Sequence, residues 1–239
     1  MRNCLIFFIL GLQALGLLCE AGRSHKNVSL KLKDNKGSRS TPSSLLLHMN
    51  ETSQESLNKL CVEIIRVLDD SSDTSLKMAA ISALEVVAEI FPSNNSILSL
   101  CLQSVTRYIV SHNLAVTSSC LRATAALINV LGPKSLSELP KIMDNVMKSS
   151  RRVLSSLDMK PKTSDVLSAS IESYLHVLIT LEAVVDKLGG FLNPYLVDIM
   201  ELLVLYPEHV SGMHAKVESR AHGVRKLLAE RIPVRLVRM

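Results

Sequence analysis

The chain contains no tryptophan, and all aromatics together make up 3% of its 239 residues. Any core must therefore be filled by Leu, Val, Ile, Ala and Met, which dominate a hydrophobic content of 47%. That palette suits packed helices, and it leaves few rings on which RNA bases could stack. Cysteine is too sparse for a disulfide or zinc scaffold. Cys4, Cys19, Cys61, Cys101 and Cys120 form no C-x-x-C pair, and three of them fall on apolar helical faces, where a thiol packs as a small hydrophobe. This usage favours a reducing compartment. Phosphate-binding glycine loops and nucleophile elbows are missing too, because Gly189-Gly190 lacks the strand-before, helix-after setting such a loop needs. His209 and His214 stand five apart across a loop with no cysteine nearby, a poor pattern for a metal. His176 lies mid-helix beside an apolar stripe and reads as a packed, hydrogen-bonded histidine, while Asp69, Asp70 and Asp73 read as loop carboxylates facing water. No cofactor, small-molecule substrate or enzymatic activity is expected.

What the chain does have is helical periodicity. Leu167, Ile171, Tyr174, Leu178, Leu181, Val185 and Leu188 recur at steps of three and four, which puts them on one face of a helix that must be buried. The spacing predicts that Gly189-Gly190 stops this helix in a left-handed turn. Asn193-Pro194 is then expected to cap a second, antiparallel helix with its stripe at Tyr195, Ile199, Leu202, Leu203 and Tyr206, ending at Pro207. Two stacked helices cannot dry both faces, so further hairpins are expected beside them.

Earlier segments supply them. Leu57, Leu60, Cys61, Ile64, Ile65 and Leu68 form one stripe, and Leu76, Ala80, Ala83, Leu84, Val87 and Ile90 form its partner, closed by Pro92. A second pair carries Ile97, Leu100, Cys101, Val105 and Ile109, then Leu121, Ala125, Leu127, Ile128 and Leu131, closed by Gly132-Pro133. Leu136, Leu139, Ile142, Met143, Val146 and Leu154 open a third pair, whose helices are separated by a loop from Asp158 to Ser164. Leu84-Glu-Val-Val, Leu127-Ile-Asn-Val and Leu181-Glu-Ala-Val occupy matching places late in the second helix of each pair, 43 and then 54 residues apart. A period near 43 with two helices per unit falls in the HEAT range. The expected fold is all-α, with HEAT-like hairpins over residues 54–232 stacked into a short α-solenoid.

The ends read differently. Residues 1–22 carry Arg2, the uncharged run from Cys4 to Cys19 and a small residue at Ala21, the pattern of a signal peptide. The sequons at Asn27, Asn50 and Asn94 fit a secretory reading, in which the protein would be a small helical binding protein. Residues 23–53, with Lys26, Lys31, Lys33, Lys36 and Arg39 among Ser, Asn and Gly, read as a basic flexible linker. A formal charge of +5 makes the chain mildly basic, compatible with RNA or an acidic partner. Much of the excess lies late, where Lys216, Arg220, Arg225, Lys226 and Arg231 are candidate contacts to RNA or a partner protein. Arg220, Arg225, Lys226 and Arg231 spread over a helix surface instead of forming one stripe, and Leu227 and Leu228 beside those charges favour a protein contact. Residues 233–239 form a short tail after Pro233.

The run LEAVVDKLGGFLNPYLVDIMELLVLYPE and the basic AHGVRKLLAERIPVRL after it resemble the C-terminal region of the U3 small nucleolar RNA-associated protein 10 family, the large HEAT-repeat subunit of the small-subunit processome. SLKMAAISALEVVAEIFPSNNSIL and NLAVTSSCLRATAALINVLGPKSLSELPKIMDNVM resemble consecutive repeats just upstream, and LQALGLLCEAG does so more loosely. The resemblance spans roughly residues 55–236. It implies a nucleolar, non-enzymatic scaffold in pre-ribosomal RNA transcription and processing towards 18S rRNA. Its partners would be other processome proteins and, directly or indirectly, U3 snoRNA and pre-rRNA. It further implies a fragment of a longer array, in which Leu12 to Ala21 belongs to an internal helix instead of a leader.

Overall fold

The protein is described by a computed structural model over residues 51–92, 95–158, 164–204 and 215–232. The expected leader, the basic linker up to residue 50, His209, His214, the stripe residue Tyr206 with Pro207, and the 233–239 tail lie outside those residues. Among the described residues there is no strand, and the fold is all-α with repeated helical hairpins. The helices are α1 (Glu51–Asp70), α2 (Thr74–Ile90), α3 (Asn95–Arg107), α4 (Leu114–Leu131), α5 (Leu139–Asp158), α6 (Ser164–Leu188), α7 (Leu196–Val204) and α8 (Ala215–Arg231). Helix α1 begins at Glu51, so the last residues assigned to the linker by composition are already helical.

The chain divides into two compact units, Met1–Ile64 and Ile65–Met239. The described part of the first is the stretch 51–64 of α1, with Leu57, Cys61 and Ile64 buried on one face and an exposed Lys59–Glu55 ion pair at 2.7 Å on another.

In the second unit the even-numbered helices α2, α4, α6 and α8 lie side by side in an inner row, each closest to the next. They run parallel. Thr74 and Glu85 of α2 face Asn113 and Arg122 at α4; Ser118 and Leu121 of α4 face Ser173 and Thr180 of α6; Glu182 and Asp186 of α6 face Arg220 and Arg231 of α8. Helices α3, α5 and α7 form an outer row against this one. Small side chains allow the tight inner spacing: Ala80, Ala83, Ala123, Ala125 and Ala183 are all buried on these helices. Some buried hydroxyls are satisfied across them, as where Thr180 donates to the Leu121 carbonyl at 2.9 Å, while those of Thr124 and Ser170 have no hydrogen-bond partner. By length and composition α4 and α6 are apolar enough to cross a membrane, yet most of their surface is buried against neighbouring helices.

Local chemistry sets the boundaries. Asp73, read from the sequence as a water-facing loop carboxylate, is the N-cap of α2 and accepts from the Ser75 N–H at 2.9 Å. Asp69 also has a partner, the Tyr108 hydroxyl at 2.8 Å. Asn113 caps α4 by accepting from Ala115 and Val116. After α4, Gly132 takes φ +54°, a conformation open to glycine, and a 3-10 stretch Gly132–Glu138 delays α5 to Leu139.

The turn after α6 departs from expectation. Neither Gly189 nor Gly190 has positive φ; the chain passes through 3-10 turns at Gly189–Phe191 and Asn193–Tyr195, and Asn193 makes no cap hydrogen bond. Pro194 fits the 3-10 turn, and α7 starts only at Leu196. Gly189 is required for space. A Cβ there would sit 3.0 Å from the Arg231 Cβ, so its missing side chain lets the end of α8 approach. The antiparallel return does occur, since the buried Tyr174 hydroxyl donates to the Leu202 carbonyl at 3.0 Å.

Candidate partner-binding surface

The free side of the inner row is built from residues left over once each stripe is buried. On α6 this leaves Glu172, Leu175, His176, Ile179, Glu182 and Asp186, all at least partly exposed and spaced by three or four. On α4 the equivalent row contains Ala115, Arg122 and Asn129.

Ion pairs tie these rows together. Arg122 of α4 donates to Glu85 of α2 at 2.9 Å, and Arg220 of α8 donates to Glu182 of α6. Glu85 and Glu182 are the second residues of the recurring Leu-Glu motifs, so the link is itself repeated. In the middle repeat that place belongs to Ile128, which is fully buried. The α4–α6 junction accordingly uses hydroxyls, with the Ser118 and Ser173 oxygens sharing a hydrogen bond at 2.8 Å. Burial pushes the Glu85 carboxyl up, against the opposing pull of Arg122. Each such pair, being partly exposed, contributes on the order of 0.2–1 kcal/mol.

The basic residues picked out near the end of the chain all lie on α8, but the fold uses them unequally. Arg220 is bound to Glu182, Arg225 donates to the Leu203 carbonyl at 2.6 Å, and Arg231 donates to Asp186 at 2.6 Å. These three hold α8 onto α6 and α7. Lys226 stands 4.0 Å from Glu230 on its own helix and is exposed. Lys216 is also exposed and lines a groove of about 560 Å³ between α6 and α8, together with Glu182, Arg220 and Ser219. Only the two lysines remain uncommitted to neighbouring helices.

A second groove, about 240 Å³, runs over the first turns of α4 between α2 and α6. Ala115, Ser118 and Ser119 line it from α4, Met78 and Ser82 from α2, and Glu172 and His176 from α6. His176 is half-buried as expected, but its Nδ1 has no hydrogen-bond partner, because its neighbours on α4 are too short or already bonded elsewhere. Burial holds its imidazole below the ordinary value of 6.5, with Glu172 opposing and Arg122 reinforcing the shift. Arg122 and Glu172 were not singled out from the sequence. The signal was present in the i, i+4 pair Glu172/His176 on the side of α6 opposite its stripe. Among the described residues no cluster of His, Cys, Asp or Glu could hold a metal.

No family profile matches the chain. Over 230 residues it is 45% identical to an uncharacterized protein of Arabidopsis thaliana, At3g06530; the match covers 94% of this chain and 10% of that protein. The chain thus spans about one tenth of the length of the relative it matches.

Proposed function

We propose that the chain is scaffold material from a much longer helical array, acting without catalysis in nucleolar pre-rRNA transcription and processing towards 18S rRNA, within the small-subunit processome and alongside the U3 ribonucleoprotein. The observation that carries this reading is the extended resemblance of residues 55–236 to the U3 small nucleolar RNA-associated protein 10 family. The hairpin repeats and the match to a small part of a far longer protein agree with such an origin. Helix surfaces are the recognition elements of stacked hairpins, and the free side of the inner row offers one here. Partners in this reading are processome proteins, with U3 snoRNA or pre-rRNA contacted directly or through them.

A tagged full-length chain tests it. Nucleolar fluorescence, no glycosidase-sensitive mass shift, and recovery of U3 RNA with processome subunits are expected. A second reading rests on the apolar run at Cys4–Cys19 and the three sequons: a secreted helical binding protein. Secretion with glycans at Asn27, Asn50 or Asn94 would replace the first reading by this one. Nuclear localisation without U3 RNA or processome proteins would leave a generic HEAT adaptor. Direct RNA contact through α8 is tested at Lys216 and Lys226, whose replacement by Gln leaves the α8 clamps intact. Weaker binding, equal across unrelated RNAs and with a flatter salt dependence, marks phosphate contact; unchanged RNA affinity with loss of one subunit marks protein docking.

A further inference from the structure

Helix α7 is apolar on two sides. Ile199, Leu202 and Leu203 are buried, but Val197, Met200 and Val204 are 80%, 45% and 72% exposed. These three recur at steps of three and four, so at 3.6 residues per turn they fall within about 60° of one another and about 130° round the helix from Asp198. Asp198 marks the side that faces α5, because it accepts from Arg151 there at 3.2 Å. The exposed stripe therefore looks away from α5. The outer row shows what belongs on that side. Helix α5 meets its predecessor α3 at Asn145, which donates to the Thr106 carbonyl, and meets its successor α7 at Arg151. From Asn145 to Arg151 is a turn of about 120° round α5, and a turn of the same sense and nearly the same size from Asp198 on α7 arrives at the exposed stripe. A helix that ends a stack needs a polar outer face. Helix α1 has one, its exposed positions including Lys59, Glu63, Arg66 and Asp70. Helix α7 instead presents an apolar stripe where a successor would lie.

We propose that Val197, Met200 and Val204 form the docking face for an amphipathic α-helix of a partner protein, which extends the outer row by one place beside α7. The occupant meets these side chains with a stripe of Leu, Ile, Val or Met at the same helical steps. Glu201 is exposed at the edge of the stripe and has no ion-pair partner among the described residues. It accepts from a Lys or Arg on the outer flank of the incoming helix, as Asp198 accepts from Arg151 on the other side. That link is partly exposed and adds little, so the apolar stripe carries the contact. Three side chains make a patch on the order of 300 Å², the side of one short helix. Mirrored across a two-fold axis, the patch falls well short of the roughly 1,200–2,000 Å² that a stable complex buries, which argues against a second copy docking α7 on α7. This inference goes beyond the nucleolar reading and does not need it: exclusion of the chain from the nucleolus would leave the α7 face as it is.

The test is a titration of the isotopically labelled full chain, followed by NMR, with a synthetic four-turn peptide of Leu, Ala and Lys whose leucines recur at steps of three and four. A shuffled peptide of the same composition, with no shared leucine face, is the control. Shifts centred on Val197, Met200, Glu201 and Val204 are expected with the patterned peptide, and the shuffled one should bind at least about tenfold more weakly. The double change Val197→Gln with Val204→Gln, at two mostly exposed positions, should weaken the patterned peptide by at least about tenfold while the rest of the spectrum stays put. Replacing the peptide's lysines by glutamates should weaken binding about two- to fivefold in the wild type and much less in Glu201→Gln. Equal affinity for patterned and shuffled peptides, shifts centred elsewhere, or no shifts at millimolar peptide would each overturn the proposal. So would dimerisation of the peptide-free chain, or its partition into phosphatidylcholine vesicles, if the double change abolished it, because a second copy or a lipid surface would then be the occupant.

Discussion

At Gly189 a new Cβ would meet the Arg231 Cβ at 3.0 Å, at Gly132 it would meet nothing but the backbone sits at φ +54°, and at Gly190 neither obstacle is present. Three alanine substitutions should therefore give three results in urea unfolding. Gly190→Ala should be neutral or stabilising by up to about 1 kcal/mol, through the unfolded chain alone. Gly132→Ala should lose about 1–2 kcal/mol to backbone strain. Gly189→Ala should lose about 1–3 kcal/mol by pushing the end of α8 outward, and amide signals near Arg231 should move with it; a midpoint matching Gly190→Ala would show that α8 does not press on this site. Leu178, fully buried in the middle of the α6 stripe, should lose about 2–5 kcal/mol on change to Ala. That burial was legible from periodicity. The role of Gly189 was not, because the crowding comes from a residue far along the chain. The glycine pair could be read as a break in the helix, whereas the reason for the break depends on what arrives opposite.

The helices themselves were legible, and most of the buried face of each, since a stripe at steps of three and four states which side is dry; Leu100, placed in the α3 stripe, is instead exposed. Periodicity cannot state which stripe meets which. The parallel inner row of α2, α4, α6 and α8 therefore came only from the structure, as did the use of Arg220, Arg225 and Arg231 as clamps instead of free surface charge. Helix α8 depends on them more than its neighbours do on theirs, because its buried stripe is limited to Val217, Ala221, Val224 and Leu228. Arg231→Gln and Asp186→Asn should show a coupling of about 0.2–1 kcal/mol in a double-mutant cycle, shrinking as salt is raised. In hydrogen exchange α8 should open before α4 and α6. Exchange as slow as in α6 would show that the apolar stripe alone suffices.

For the whole molecule, acidity should act in two separate windows. The folded state holds His176 below 6.5, so the unfolded chain binds its proton first; stability is full above about pH 6.5 and falls as pH drops from there towards the depressed value. Asp186, held below 3.8 by hydrogen bonds from Lys187 and Arg231, adds stability that is present above that value and is lost as pH falls through the folded one. Thermal melts of the wild type and His176→Gln should differ in slope below about pH 6.5 and run parallel above it; parallel curves throughout would remove His176 from the account. The cross-helix bonds described above have a mechanical corollary. Glu85–Arg122, Glu182–Arg220 and Asn145–Thr106 join residues 37, 38 and 39 positions apart, and Thr180 reaches 59 positions to Leu121. Among the described residues, none of these bonds spans more than about one and a half repeats, so none of them staples α2 to α8. Pulled from its ends, the chain should come apart in instalments, each hairpin of about 40 residues paying out on the order of 140 Å of slack before the next gives way.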